Sequence, residues 1–511
     1  MAESLSNALD HLSLSHHETL PVELWLLLVE HLDQPSAASL SLTSHFSRTA
    51  ALPRLFRRIA IQICRINHVR GLARLKDRLA FYTSSKIIGL VQDMAVFGGP
   101  ANRMDEMHTI FAAMERFPHL QTLFIRYVRL RAAFVPAIVA ASRRTRGFSL
   151  SLVACAVDSD VAGVLEVDSF CLTTDMQGEP PSAHAQRWTQ LLSPTALRIL
   201  DVAQPRTTQD FLYELLRVQA PVFLRVQRLS LCAEALLVES GAAIARAFPG
   251  LVALELVPRE TYGAYRLNAH WALPTDGLPY LVEYHGPSIF TETICAGGRS
   301  LSHLKLYNDA RNAQIPSVPT HTAATLTSLH LDVALSLSTL IESLSTFTAL
   351  RALRVTIPFI NSPSASAWTA LPQALADTLL TLQLPPTLEA FFLSMYIRLP
   401  PRATISYALA QLGLAIRSMG QRHADLRLRR LNVLLFPPQG LFGHYRWTAA
   451  QGPTATASDV LVTQTFAYHD GGYWGRRLSP FVGWKRNRER PTAQESVEAR
   501  VDDEWEALVC G

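Results

Sequence analysis

The sequence has no CxxC pair, no Asn-X-Ser/Thr sequon and no apolar run near the ~18 residues that cross a membrane. Its six cysteines (Cys64, Cys155, Cys171, Cys232, Cys295 and Cys510) are scattered, so free buried thiols are expected rather than a disulfide framework. Apolar stretches such as 24–29 end within a few residues. Met1 is followed by polar and acidic residues, without the basic and apolar regions of a secretory signal. The expected location is therefore the cytoplasm or nucleus, with no membrane partner. Charged residues make up only 17% of the chain, and a net charge of +5 is thin over 511 residues. No stretch is expected to concentrate it enough for a nucleic-acid partner. Catalytic signatures are missing too: there is no GxSxG, P-loop, GxGxxG after a strand or HExxH. His469-Asp470-Gly471-Gly472 is the most site-like tetrapeptide and reads as a turn, and His16-His17 have no neighbouring ligand partners. No catalytic residue, metal or cofactor is expected, and the chain is not expected to be an enzyme.

What is present is a folding composition, 49% hydrophobic, at a length that predicts two to four units at ~100–200 residues each. Residues 1–17 read as a loose leader. Structure is expected to begin at Leu20-Pro21-Val22-Glu23-Leu24, because proline suits the first helical position and Glu23 complements the helix dipole. Leu24, Leu28 and Leu32 then recur at helical spacing, and Asp33-Gln34-Pro35 should stop the helix. A second helix, capped by Ser36, would carry Leu40, Leu42, Thr43 and Phe46 until Pro53 breaks it. The segment from Leu55 and Phe56 to Ile61 continues apolar, studded with arginine.

Over residues 18–62, the Leu-Pro entry, the Leu-Ser-Leu-Thr-Ser-His-Phe segment at 40–46 and Leu52-Pro53-Arg54-Leu55-Phe56 resemble the F-box motif in its fungal form. Thr43 departs from the family's usual valine or cysteine and adds a hydroxyl. The resemblance implies that Leu20, Pro21, Leu24, Leu28, Leu32, Leu42 and Phe46 pack into a groove of a Skp adaptor, which links onward to cullin and RING subunits.

Residues 63–116 are expected to be a mostly helical linker. From 117 to 435 one phrase recurs, L-x-x-L-x-L, led by Leu120, Leu197, Leu251, Leu301, Leu326 and Leu350, with weaker copies at 224–231, 278–284, 384–393 and 426–435. The final L-x-L alternates as a half-buried strand, and helix-like stretches such as 208–218, 239–247 and 369–381 lie between copies. The expected fold class is α/β, a short all-helical F-box followed by an irregular leucine-rich-repeat solenoid with a parallel sheet on its concave side. Residues 436–511, rich in aromatics, are expected to cap the array and end in a charged tail, with a basic cluster at 485–490. The function this implies is substrate recognition for a Skp–cullin–F-box ubiquitin ligase, with an unidentified target on the array. The rival expectation is a leucine-rich-repeat binding scaffold with no ligase role.

Overall fold

The computed structural model describes residues 21–63, 68–98, 104–158, 163–173, 188–217, 220–258, 267–268, 270–307, 318–332, 344, 346–357, 379, 384–396, 415, 418–419, 430–436, 441–448 and 460–467. Leu20, the leader, the 369–381 stretch apart from Leu379, the His469 tetrapeptide and the charged tail lie outside them. The chain divides into two compact units, Met1–Leu197 and Arg198–Gly511.

The first unit opens with three helices, α1 (Val22–His31), α2 (Gln34–Leu40) and α3 (His45–Phe56). Two boundaries differ from the sequence expectation. Asp33, not Ser36, caps α2: its carboxylate accepts the Ser36 amide at 2.8 Å, and Pro35 sits in the first turn where no N–H is needed. Pro53 lies inside α3 rather than ending it. Pro53 is the ninth of twelve residues in α3, so the helix continues past a position with no N–H to donate, and Leu40, Leu42, Thr43 and Phe46 do not share one helix. α2 stops at Leu40, and Ser44 starts α3 by accepting the Ser47 amide at 3.0 Å.

A parallel sheet follows. β1 (Arg58–Gln62), β2 (Asp93–Phe97), β3 (Thr122–Arg126), β5 (Ser149–Val153) and β7 (Ser169–Thr173) are neighbours in chain order, with β4 (Arg129–Leu130) and β6 (Ala156–Val157) as a separate small pair. Parallel neighbours need a crossover, and α4 (His68–Tyr82), α5 (Met104–Met114) and α6 (Val135–Arg144) supply three of them. The repeating phrase therefore starts earlier than Leu120. Val91-x-x-Met94-x-Val96 and Val167-x-x-Phe170-x-Leu172 are the same pattern written mostly with other apolar residues, and all six are buried.

In the second unit β8 (Ile199–Val202), β9 (Arg228–Cys232), β10 (Ala253–Val257), β11 (Glu283–Pro287), β12 (His303–Tyr307), β13 (Ser328–Asp332), β14 (Ala352–Ile357), β15 (Ala390–Tyr396) and β16 (Arg430–Phe436) again pair parallel in chain order. Helices α7 (Pro205–Leu215), α8 (Ser240–Ala247), α9 (Thr291–Cys295) and α10 (Thr320–Thr325) occupy connections between them. β17 (Leu441–Thr448) and β18 (Val460–Ala467) then pair antiparallel, strands that the sequence reading left as a cap and tail. Both units are mixed α/β with parallel sheets.

The register explains the phrase. Leu229, Leu254, Tyr284, Leu304, Leu329 and Leu353 are aligned across successive strands and are buried. Two residues on, Leu231, Leu256, Leu306, Leu331 and Val355 form a second buried row, broken at Gly286. The break has a cause: a Cβ at Gly286 would run into the ring of Tyr284, whose hydroxyl donates to the Pro287 carbonyl at 3.0 Å. The leading leucines Leu251, Leu301, Leu326 and Leu350 are buried as well. In the weak copy at 224–231, Leu224 is 62% exposed and Val226 fills the interior instead.

Candidate functional site

Two surfaces concentrate chemistry, one on the N-terminal helices and one on the strand face of the second unit. The helices have a small core of their own, in which Val29 of α1 meets Ala50 and Ala51 of α3, with Leu40 and Leu55 partly buried around them. Trp25 is buried on the same side of α1 and meets Phe46 edge-on, ring centroids 5.7 Å apart. Arg54 of α3 donates to the Leu32 carbonyl at 3.3 Å, holding the end of α1 against α3.

The inward side of α1 is thus Trp25 and Val29, not the Leu24/Leu28/Leu32 stripe. Leu24 is exposed, and Leu28 and Leu32 are half-buried at the edge of the seam. Pro21, Val22, Leu26 and Leu27 are exposed too, as are Leu42 (78%) and Phe46 at the turn before α3. A helix that is apolar on nearly every side belongs inside a larger core, yet only two residues of α1 are buried. The module therefore leaves Val22, Leu24, Leu26, Leu27, Leu42 and Phe46 in solvent, more large apolar side chain than a small fold needs to expose. Sequence reading missed Val22, Leu26 and Leu27 because a single helical stripe was taken to define the apolar side. Thr43 is exposed and its hydroxyl donates back to the Leu40 carbonyl at 2.8 Å, so it closes the turn.

On the second surface, strand alternation sets Ser230, Glu255, His285, Lys305, His330 and Arg354 in one register row opposite the leucines. The preceding row brings Arg228, Glu283 and His303 beside it. His285 Nε2 donates to Glu283 at 2.9 Å, and Arg228 reaches the other carboxylate oxygen at 3.5 Å. The His285 hydrogen bond, outweighing burial, holds the Glu283 carboxyl down at about 2, with Arg228 and His303 adding to it. Burial lowers the His303 pKa. His330 is buried and contacts the Thr356 hydroxyl at 3.3 Å, while His119 is exposed.

Several arginines of the two units are engaged by local partners. Arg129 pairs with Asp158 at 2.6 Å, Arg126 lies over the Tyr127 ring, and Arg351 approaches Glu389 at 3.9 Å. Cys155, Cys171, Cys232 and Cys295 are free thiols, and burial pushes both Cys155 and Cys232 up to about 12, which keeps them protonated and unreactive. Among the described residues no group of three or more His, Cys, Asp or Glu could hold a metal ion, and no helix is long and apolar enough to cross a membrane. No family model matches the chain, and no curated protein matches it.

Proposed function

We propose that this chain is an F-box substrate receptor, with the N-terminal helices docking a Skp adaptor and the strand array holding a target protein. The observation that carries the reading is the exposure of Leu24, Leu27, Leu42 and Phe46 on a module whose own core is completed by Trp25, Val29, Ala50 and Ala51. Apart from the contact of Phe46 with Trp25, those apolar side chains face solvent, and they suit a groove on a partner. Leu24, Leu42 and Phe46 are among the residues that the motif resemblance assigns to the adaptor. In this reading the chain-ordered parallel strands form a leucine-rich-repeat-like solenoid with the sheet on the concave side, and the polar row from Ser230 to Arg354 meets the target. The receptor needs no catalytic group: it raises the effective concentration of a target lysine near ubiquitin carried by other subunits.

The test is capture of purified Skp adaptor by the intact chain and by Leu24→Asp/Leu27→Asp. Because both leucines are exposed, the variant should fold, as circular dichroism would report. Its affinity should fall on the order of 30-fold or more, as expected of hot-spot positions. Absence of binding by the folded intact chain would sink the reading. If the adaptor binds, ubiquitylation of co-purifying proteins that depends on Leu24 and Leu27 separates a ligase receptor from a passive scaffold.

A further inference from the structure

The net charge of +5 is an average, and it conceals one dense segment. Between Arg54 and Lys86 the sequence holds nine Arg and Lys residues against a single acid, Asp77. In the fold this segment runs from the last turn of α3 through β1 and α4. Leu75 and Leu79 of α4 are buried, while Arg74, Lys76, Arg78 and the Phe81 ring stand exposed, as does Arg57 at the end of α3.

Some of these cations have local work. Arg58 pairs with Asp93 at 2.9 Å, and Arg78 donates to the Ala60 carbonyl at 2.9 Å while lying over the Tyr82 ring. Arg57, Arg74 and Lys76 make no ion pair among the described residues. Arg74 and Arg78 lie one turn apart, an arrangement of like charges that weakens a helix. The fold itself therefore gains nothing from the excess.

This basic face is physically joined to the apolar docking surface. Phe56 at the end of α3 packs edge-on against Phe81 of α4, centroids 5.5 Å apart. The exposed residues His45, Thr49 and Pro53 run down α3 at four-residue spacing, from beside Phe46 at its start to the turn that ends at Phe56. A partner lying along α3 would touch both surfaces.

We infer that the partner seated on Leu24, Leu27, Leu42 and Phe46 is an acidic protein, whose carboxylates also meet the cations around Arg57 and Arg74. This rests on the docking reading above and adds the charge of the partner and a contact beyond the motif. Arginine suits carboxylates because its planar fork can bind them bidentately. Single-stranded nucleic acid fits less well. A stacking platform needs several open rings side by side; on this face, among the described residues, Tyr82 is covered by Arg78 and Phe56 packs against Phe81, which leaves Phe81 as the exposed ring. A membrane surface fits less well too, since the apolar side of α4 is already buried.

The experiment measures association and dissociation rates of purified Skp adaptor with the full chain at low and high salt, for the intact protein and for Arg57→Glu/Arg74→Glu. Both arginines are exposed and outside the hydrogen bonds that Arg78 makes, and Arg57→Gln/Arg74→Gln serves if circular dichroism shows that charge reversal disturbs α4. The intact chain should associate more slowly as salt rises, and the reversal should slow association on the order of tenfold at low salt with a smaller effect on dissociation. Equal rates and equal salt dependence for both proteins would overturn the inference and leave the docking reading standing. Absence of adaptor binding by the intact chain would remove both. Capture of single-stranded RNA or phosphatidylserine vesicles by the intact chain alone, with adaptor rates unchanged in the variant, would overturn the inference and reassign the basic face.

Discussion

Trp25 and Phe46 touch edge to face at 5.7 Å, yet one ring is buried and the other is 41% exposed. The pair marks the line between the module's own core and its exposed apolar side. Trp25→Ala should destabilise the module by about 3 kcal/mol through the cavity it leaves. Leu27→Ser, on the opposite side of α1 from that core, should stay within about 0.5 kcal/mol of the intact chain. Chemical denaturation followed by circular dichroism compares the two. Equal losses would mean that the leucines are structural and that the exposed patch does not exist as described.

The Tyr284–Gly286 pair makes a second prediction. Restoring leucine at the second buried row by Gly286→Leu alone should cost about 2 kcal/mol, because the new side chain meets the Tyr284 ring. The double substitution Tyr284→Leu/Gly286→Leu should recover most of that loss, since the neighbouring strands carry leucine at both positions. Midpoints of denaturant unfolding for the two single variants and the double one decide it. Strictly additive losses would show that the two positions do not share space.

A third concerns acid. The Glu283 carboxyl sits at about 2 in the folded chain, against an ordinary value near 4.5, chiefly because His285 donates to it. Its folded value is the lower one, so its contribution to stability is fully present above about pH 4.5 and is lost as pH falls toward 2. Glu283→Gln should therefore cost about 1–2 kcal/mol at neutral pH and much less near pH 2. Unfolding measured across that range checks this. A cost that does not change with pH would show that the charge of Glu283 contributes nothing.

Legibility in the sequence followed how local each cause was. The strands at 303–307, 328–332 and 352–357 could be read because their leucines alternate on one side and the same phrase returns after a crossover. Val91, Met94 and Val96 obey the same geometry with other apolar residues, so 87–97 is legible as a strand or buried segment but not as a copy of the leucine phrase. The antiparallel pair at 441–448 and 460–467 lacks that phrase and was left as a tail.

By itself the sequence determined that the chain is mixed α/β, that helices precede strands, and that leucine layers stack between them. Each of these follows from periodicity, which is a property of neighbours along the chain. Only the tertiary structure decided which side of α1 is inside. The helix is apolar almost all round, so spacing could not choose between Leu24/Leu28/Leu32 and Trp25/Val29, and contact with Ala50 and Ala51 of α3 made the choice. The same holds for Glu283, His285 and Arg228. They come from two separate strands, and only the parallel register brings them within hydrogen-bonding reach.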